Sequence, residues 1–217
     1  MLLMRLPGVY RAQHDTSLLR TVLRRRGGVA GRSVLDVGSG TGALGIEAVR
    51  AGAASLTSVD LSLRSVMTSW LNSRLHGVPA TVRRGDLFAP VGPRRFDLVL
   101  ANPPYVPAAA PRPPRHRMAR CWDAGPDGRI LLDRICAGAP GVLNEGGALL
   151  LVQSGLADEH ATLDRLDAAG LVPAVLARGR IPFGPVLRSR VRELRERGLL
   201  APGQVEEELV VIEARHG

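Results

Sequence analysis

The chain has 217 residues, of which 45% are hydrophobic and 23% are charged, and its net charge at pH 7 is +9. This length predicts one domain, residues 1–217, and an aromatic content of 3% argues against a nucleic-acid surface built on base stacking. No apolar run approaches the roughly 18 residues of a membrane span, and two cysteines are too few for a disulfide framework, so we expect a cytoplasmic protein without membrane contact.

Short apolar segments alternate along the chain with longer segments of helical periodicity. The short segments predict strands at 33–37, 55–60, 80–86, 96–101, 147–153, 171–179 and 207–214. Helices are predicted between them at 16–26, 42–52, 62–76, 127–137 and 157–169. This alternation predicts an α/β fold, with a mostly parallel sheet covered by helices on both faces and ligands at the carboxyl ends of the strands.

The last two predicted strands are connected differently from the others. They leave no room for an ordinary crossover between them, so we expect a seven-stranded sheet that ends in an antiparallel hairpin. The arginine-rich insert between these strands, residues 180–204, predicts a helix with Leu187, Val191 and Leu194 on its apolar face. The arginines of the insert would occupy the opposite face of that helix.

A glycine-rich turn follows the first predicted strand. Gly40, Gly42 and Gly45 match the G-x-G-x-x-G pattern of dinucleotide-binding proteins, and Asp60 lies where that pattern expects a ribose-binding acid. Gly38 opens the turn, and glycine lets the backbone approach a ligand closely. Taken alone, the turn is compatible with a nicotinamide dinucleotide or with S-adenosylmethionine.

Two further carboxylates favour S-adenosylmethionine. Asp36 precedes the first glycine by two residues, where its charge would attract the cationic end of this cofactor and repel a pyrophosphate. Asp86 ends the third predicted strand and can accept a hydrogen bond from an adenine amino group. Asp60 or Asp86 alone is compatible with helix capping or a turn, but carboxylates at three successive strand ends indicate a shared site.

The fourth predicted strand ends in the tetrad Asn102-Pro103-Pro104-Tyr105, which can neither continue the strand nor begin a helix. Methyl transfer to a planar nitrogen requires two acceptors that hold its N–H groups and turn its lone pair toward the methyl carbon. The Asn102 side chain and the Pro103 backbone each offer a carbonyl, and Tyr105 offers a flat ring. The tetrad therefore predicts a substrate-binding site, with a simple proline turn as the alternative.

The tetrad also resembles the signature of class I methyltransferases that act on planar nitrogens, in which an Asp, Asn or Ser precedes two prolines and an aromatic residue. Residues 9–19, VYRAQHDTSLL, are similar to the opening motif VYxPxxDTxLL of the HemK-like protein-glutamine methyltransferases, in the short branch of that family. Residues 121–135, CWDAGPDGRILLDRI, resemble the family segment WxGGxxGRxxxDR. The resemblance runs from residue 9 to about 151 and implies a Rossmann-like class I methyltransferase fold.

Together with the glycine turn, this resemblance implies roles for individual residues. Contacts to S-adenosylmethionine are implied for Thr16, Asp36, Gly38, Gly40, Asp60, Asp86, Leu87 and Asn102. Contacts to the substrate are implied for Asn102, Pro103 and Tyr105. The resemblance implies glutamine side-chain amides of proteins such as peptide release factors as substrates, and some relatives need a small activating partner. The family's Pro and Glu in the opening motif are Ala12 and His14 here, a departure that bears on the protein substrate more than on the cofactor.

Other functions stay open at the level of the sequence. The same tetrad serves methyltransferases that act on adenine or guanine amines, and the net charge of +9 agrees with RNA or the ribosome as a partner. A solvated basic surface also explains this charge, since all 29 basic residues are arginine. A small-molecule N-methyltransferase, a nicotinamide-dependent dehydrogenase and a cofactor-binding scaffold are the further alternatives.

Two groups of residues carry weaker signals. His116, Cys121 and Cys136 match no common zinc spacing, so no metal is expected. The arginine-rich segment 111–121 follows the tetrad, and it is compatible both with guiding an acidic substrate or RNA and with a solvated loop.

Overall fold

The structure, a computed structural model, describes residues 1–110 and 118–217. Its strands are β1 (Ser33–Val37), β2 (Ser55–Asp60), β3 (Thr81–Arg84), β4 (Phe96–Ala101), β5 (Leu143–Ser154), β6 (Leu171–Pro182) and β7 (Glu206–His216). Its α-helices are α1 (His14–Arg26), α2 (Ala43–Arg50), α3 (Leu63–Leu75), α4 (Ile130–Gly138), α5 (Glu159–Ala168) and α6 (Pro185–Glu196). In the described part of the chain, no helix combines the length and the apolar character needed to cross a bilayer.

The seven strands form one sheet in the order β3-β2-β1-β4-β5-β7-β6. β7 runs antiparallel to its two neighbours, β5 and β6, whereas the other neighbouring pairs are parallel. The predicted α/β fold, seven-stranded and mostly parallel with an antiparallel last strand, is therefore confirmed. The strand order reverses between β1 and β4, and such a reversal leaves a crevice for a ligand at the carboxyl ends of the strands.

Apolar side chains pack on both faces of this sheet. On β1, Val34 belongs to a buried cluster shared with α1 and α2, and Leu35 belongs to a second cluster shared with α4, α5 and α6. Because successive strand residues point to opposite faces, helices cover both sides of the sheet, as predicted. β1 and β4 are almost wholly buried, which explains why their sequences are continuous apolar runs.

Several element boundaries differ from the prediction. β3 ends at Arg84 rather than at residue 86, and β6 extends to Pro182, so the insert begins after residue 182 rather than at 180. Two further differences lie at glycines. α4 begins at Ile130 rather than at residue 127, because Gly128 has a φ of +76° and lies in a turn. β5 begins at Leu143 rather than at residue 147, and its register with β4 shifts across the stretch that contains Gly146, where φ is +67°. The carboxyl ends of β1, β2 and β4 lie where they were predicted.

The helix predicted in the arginine-rich insert is α6, between β6 and β7. Leu187 and Leu194 are buried and Val191 is half-buried, as the periodicity indicated. The arginines of this helix were expected on a solvent-facing side, but Arg190 forms an ion pair with Asp123 at 2.7 Å. The insert is therefore fastened to the segment that follows the tetrad.

Candidate active site

A cavity of about 930 Å³ opens at the carboxyl ends of β1, β2 and β4. Segments that are distant in sequence form its walls: the start of α1, the glycine turn after β1, the tetrad after β4, and residues 181–188 with Glu207 from the last third of the chain. The predicted site residues that line it are Thr16, Gly38, Gly40, Asp60, Asp86, Leu87, Asn102, Pro103 and Tyr105. The fold thus brings nearly all of the predicted site residues to one cavity.

The glycine turn is held by the carboxylate at the end of β2. Asp60 Oδ2 accepts a hydrogen bond from the Gly40 amide at 2.9 Å, and Oδ1 accepts one from the Ser62 amide at 2.8 Å. Gly38 and Gly40 have φ angles of +70° and +52°, a region that residues with a Cβ disfavour. The turn therefore depends on glycine, and it presents its backbone to the cavity beside a carboxylate.

Asp36 lies beneath the turn and does not line the cavity. It is buried, and its Oδ2 accepts a hydrogen bond from the Gly45 amide at 3.0 Å. Its Oδ1 is also buried and has no hydrogen-bond partner among the described residues. Burial raises the pKa of Asp36 to about 7, and the nearby charge of Asp60 adds to the shift. A buried carboxylate oxygen that has no hydrogen-bond partner is stabilised by a nearby cation or N–H group.

Asp86 and Leu87 follow β3 and line the cavity together. Asp86 is about half-exposed, and its Oδ2 forms an ion pair with Arg134 Nη2 of α4 at 2.7 Å. Leu87 has a φ of +47°, which is uncommon for a residue with a side chain and marks a turn of defined shape. The contact with Arg134 was not predicted, because no local pattern links α4 with the end of β3.

The tetrad contacts the start of α1. Asn102 Nδ2 donates to Thr16 Oγ1 at 3.1 Å, and the Tyr105 hydroxyl donates to Asp15 Oδ2, also at 3.1 Å. These bonds join residues that are 86 and 90 positions apart, so the opening motif and the tetrad meet only in the folded chain. The bond to Thr16 uses the amide nitrogen of Asn102, so the side-chain carbonyl oxygen of Asn102 is the atom that can accept a hydrogen bond from a substrate.

Asp15 is a site residue that sequence reasoning did not single out. It is buried, and its carboxylate accepts hydrogen bonds from the hydroxyls of Tyr10 and Tyr105 and from the amide and hydroxyl of Thr16. Burial raises the pKa of both tyrosines, and the adjacent Asp15 carboxylate raises it further, so both remain protonated donors. The signal that could have found Asp15 was its place in the opening motif, directly before Thr16.

Residues 121–130 pack against the tetrad. The Val106 amide donates to the Trp122 carbonyl at 2.8 Å, and Trp122 lines the cavity. Arg129, which is buried, donates to the Thr162 hydroxyl of α5 at 3.0 Å. These contacts fix the segment between the tetrad and the helical layer.

The residues with weaker sequence signals have separate positions. His116 and most of the arginine-rich segment 111–121 lie outside the described residues. Cys136 is buried in α4, whereas Cys121 lines the cavity. Within residues 1–110 and 118–217, no three His, Cys, Asp or Glu side chains are grouped so that they could hold a metal ion.

Comparison with known proteins identifies the family. The chain matches the family model described as "Methyltransferase small domain" over residues 1–115. It is 33% identical over 177 residues to a putative protein N5-glutamine methyltransferase of Methanocaldococcus jannaschii, and this match covers 82% of the chain and 88% of the relative. The chain belongs to the HemK-like methyltransferases. The resemblance and the enzyme class predicted from the sequence are thereby confirmed.

Longer relatives share part of their length with this HemK-like methyltransferase. A release factor glutamine methyltransferase of Geobacter sulfurreducens is 31% identical over 191 residues, which cover 85% of this chain and 66% of the relative. A ribosomal protein uL3 glutamine methyltransferase of Bradyrhizobium diazoefficiens is 38% identical over 124 residues, which cover 54% of this chain and 39% of the relative. The chain therefore spans less than two thirds of the length of these two relatives.

Solved structures share the fold of this HemK-like methyltransferase. A chain of the E. cuniculi Mtq2–Trm112 complex, responsible for methylation of the eRF1 translation termination factor, has a TM-score of 0.67 at 23% identity and covers 97% of this chain and 99% of that chain. The T. thermophilus 16S rRNA N2 G1207 methyltransferase RsmC, solved with AdoMet and guanosine, has a TM-score of 0.67 at 21% identity, with coverage of 99% and 47%. At these identities the likeness shows the class I methyltransferase fold alone.

Proposed function

We propose that this methyltransferase moves a methyl group from S-adenosylmethionine to the side-chain amide nitrogen of a glutamine in a protein, such as a peptide release factor. The observation that carries the proposal is the bond between Asn102 and Thr16, which orients the tetrad on the wall of the cavity that also holds the glycine turn. The relatives described above are glutamine methyltransferases, which favours a protein amide over a nucleic-acid amine. With such a substrate the enzyme would act in the cytoplasm.

The residues around the glycine turn fit S-adenosylmethionine, which would supply a methyl group on a sulfonium. The amino group of this cofactor is cationic, and the charge of the Asp36 carboxylate, which is buried beneath the glycine turn and does not line the cavity, would attract it across the turn without direct contact. Asp60 would accept hydrogen bonds from the ribose, and Asp86 would accept one from the adenine amine. The remaining contacts would come from Thr16, Gly38, Gly40, Leu87 and Asn102.

The tetrad would position the acceptor nitrogen. An amide nitrogen is a poor nucleophile because its lone pair is delocalised into the carbonyl, so it must be held with the lone pair toward the methyl carbon. The side-chain carbonyl of Asn102 and the backbone carbonyl of Pro103 would accept its two N–H groups. The Tyr105 ring is held in place by the bond from its hydroxyl to Asp15, so the wall beside the acceptor is rigid.

Transfer of a labelled methyl group to purified peptide release factor tests this function. We expect the label on a glutamine side chain, located by mass spectrometry of proteolytic fragments. A parallel reaction with whole-cell extract, followed by nuclease or protease digestion, identifies the class of acceptor. If release factor carries no label and nuclease removes the label from the extract, the substrate is a nucleic acid.

Asp36 is expected to make cofactor binding depend on pH. Its pKa of about 7 means that the carboxyl of the free protein is neutral below this pH and charged above it. Only the charged form attracts the amino group of S-adenosylmethionine, so affinity should fall as the pH is lowered through about 7. By titration calorimetry, we expect binding about tenfold weaker near pH 5.5 than near pH 8.

Asp36→Asn is the matched control for this pH dependence, since asparagine keeps an oxygen for the Gly45 amide without the charge. Its affinity should be low and nearly constant over the same range. Burial raises the pKa of Asp36 from 3.8 to about 7, so between these two pH values the native state binds more protons than the unfolded state. The free energy of unfolding of the wild type therefore falls as the pH rises from 3.8 to about 7. Near pH 8 the variant, which has no charge to bury, should unfold at a higher temperature than the wild type. A wild-type affinity that is flat with pH would contradict this role.

We further propose that a small protein partner covers the exposed apolar face of α3. Leu63, Met67 and Trp70 follow one another at intervals of four and three residues along α3, and each is about half-exposed. β3, which contacts α3, ends the sheet and pairs with β2 alone among the described strands, so its other edge is open. The Mtq2 protein described above was solved with a partner, Trm112.

Trp70→Glu tests this partner proposal against Val172→Glu, which places the same charge at another exposed apolar position, on β6. A Trm112-like protein co-expressed with the chain should co-elute with the wild type and with Val172→Glu. Trp70→Glu should weaken the complex by at least about 2 kcal/mol, or roughly 30-fold. Equal binding by both variants would exclude the α3 face.

A further inference from the structure

Three successive glutamates at the start of β7 have three different environments. Glu206 is exposed, and Glu208 pairs with Arg178 at 2.8 Å. Glu207 points to the other side of the strand, lines the cavity and is only 7% exposed. Of these three carboxylates, Glu207 is the one that reaches the candidate active site.

Glu207 is only partly satisfied by its neighbours. The Ser154 hydroxyl donates a hydrogen bond to its carboxylate, whereas Oε2 is buried and has no hydrogen-bond partner among the described residues. The titratable groups that face it are Asp15 and Tyr10, from the start of the chain, and Tyr105 of the tetrad. None of these three groups is a cation that would neutralise the charge of Glu207.

The groups around Glu207 are already engaged with one another. The Asp15 carboxylate accepts hydrogen bonds from Tyr10, Tyr105 and Thr16 through both of its oxygens. The two tyrosines act as donors, and burial together with Asp15 holds the pKa of each above its ordinary value. Glu207 therefore keeps one buried carboxylate oxygen without a donor among the described residues, in a side chain that lines the same cavity as the tetrad.

We propose that Glu207 accepts the proton that the acceptor nitrogen releases during methyl transfer, an inference that rests on the function proposed above. As the amide nitrogen bonds to the methyl carbon, the bond between that carbon and sulfur breaks, and its electron pair stays on sulfur. The nitrogen then carries a positive charge and loses one of its hydrogens as a proton to the Glu207 carboxylate, which leaves a neutral methylamide. After the product leaves, the Glu207 carboxyl returns the proton to water.

The environment of Glu207 suits a proton acceptor. Burial raises its pKa to about 7, and the nearby charge of Asp15 adds to the shift. A carboxyl with this pKa is ionised above about pH 7 and can also hold the proton after the step. The rate of transfer should therefore rise with pH through about 7 and level off above it.

Glu207→Gln tests this role because glutamine keeps the size of the side chain but is not basic. The assay uses labelled S-adenosylmethionine and, as substrate, either release factor or the acceptor that the extract experiment identifies. We expect the kcat of Glu207→Gln to be about 100-fold lower than that of the wild type, and we expect it not to rise with pH near 7. The KM for S-adenosylmethionine should change less than about threefold. Glu206→Gln removes the same charge from the exposed neighbour and should keep the wild-type rate and pH profile. Glu207→Asp, which retains a carboxylate, should recover part of the rate.

The outcomes separate this inference from the proposed function. If the wild type labels another acceptor in the extract but not release factor, the proposed substrate is wrong, and Glu207→Gln is compared with the wild type on that other acceptor. A wild-type kcat or an unchanged pH profile in Glu207→Gln would overturn the role of Glu207. Thermal unfolding near pH 8 is the control for misfolding. Replacing a buried carboxylate of raised pKa by an amide should leave the unfolding temperature at or above that of the wild type. A lower unfolding temperature for Glu207→Gln would therefore indicate a misfolded variant.

Discussion

Asn102→Ala is expected to lower the rate of methyl transfer by at least about 100-fold. Asn102 is held through Nδ2 by Thr16 at 3.1 Å, and its carbonyl is one of the two acceptors proposed for the N–H groups of the substrate. Without this acceptor the amide nitrogen can rotate back into conjugation, and its lone pair no longer faces the methyl carbon. The glycine turn and Asp60 are unchanged, so the free energy of S-adenosylmethionine binding should change by less than about 1 kcal/mol.

Asn144→Ala is the matched control for this loss of an asparagine amide. Asn144 donates to Asp97 Oδ1 at 2.7 Å near the start of β5, at the end of the sheet opposite the cavity. Its loss should lower the free energy of unfolding by about 1 kcal/mol and leave transfer unchanged. Single-turnover rates at saturating cofactor provide the comparison. A rate for Asn102→Ala within about threefold of the wild type would disprove the proposed role of its amide.

Gly128→Ala is expected to lower the free energy of unfolding by about 3 kcal/mol. Gly128 has a φ of +76°, where a residue with a Cβ costs about 1–2 kcal/mol. A Cβ there would also lie 2.4 Å from the backbone carbonyl oxygen of Tyr105, so either the tetrad or residues 121–130 must move. Such displacement costs about 1–3 kcal/mol more. Either movement disturbs the packing of the tetrad while the glycine turn stays in place, so the rate of methyl transfer should fall more than the affinity for the cofactor.

Gly146→Ala separates the two contributions to this loss. Gly146 has a similar φ of +67°, but no atom lies within 4 Å of a Cβ built on it. Its substitution should cost only the conformational part, about 1–2 kcal/mol. Urea unfolding of the two variants measures the difference. Equal losses would show that the Tyr105 carbonyl does not restrict the residue at position 128.

The features that could be predicted from the sequence are those with local signals. β1 and β4 are buried on both faces, so each is a continuous apolar run that stands out from its surroundings. The glycine turn, Asp60 and the tetrad each lie directly at a strand end, and the parallel sheet brings such ends to one edge. The order of these segments along the chain was therefore enough to predict that they share a cavity.

Other features of the site depend on contacts between distant segments and had no local signal. Asp86 meets Arg134, 48 positions away, and Glu207 lies in a run of three glutamates that is typical of a solvated strand end. Asp36 was expected to face a cofactor, whereas in the fold it lies beneath the glycine turn and does not line the cavity. Each of these positions follows from how helices and strands pack, which periodicity does not determine.

β7, the last strand in sequence, lies between β5 and β6 in the sheet. During synthesis on the ribosome, the glycine turn and the tetrad emerge long before residue 206, and until then β6 lacks its partner in the described sheet. A nascent chain at that stage exposes the edges of β5 and β6, which can pair with other chains. The cofactor half of the cavity can thus form co-translationally, whereas the wall that contains Glu207 is completed only when the final strand inserts into the middle of the sheet.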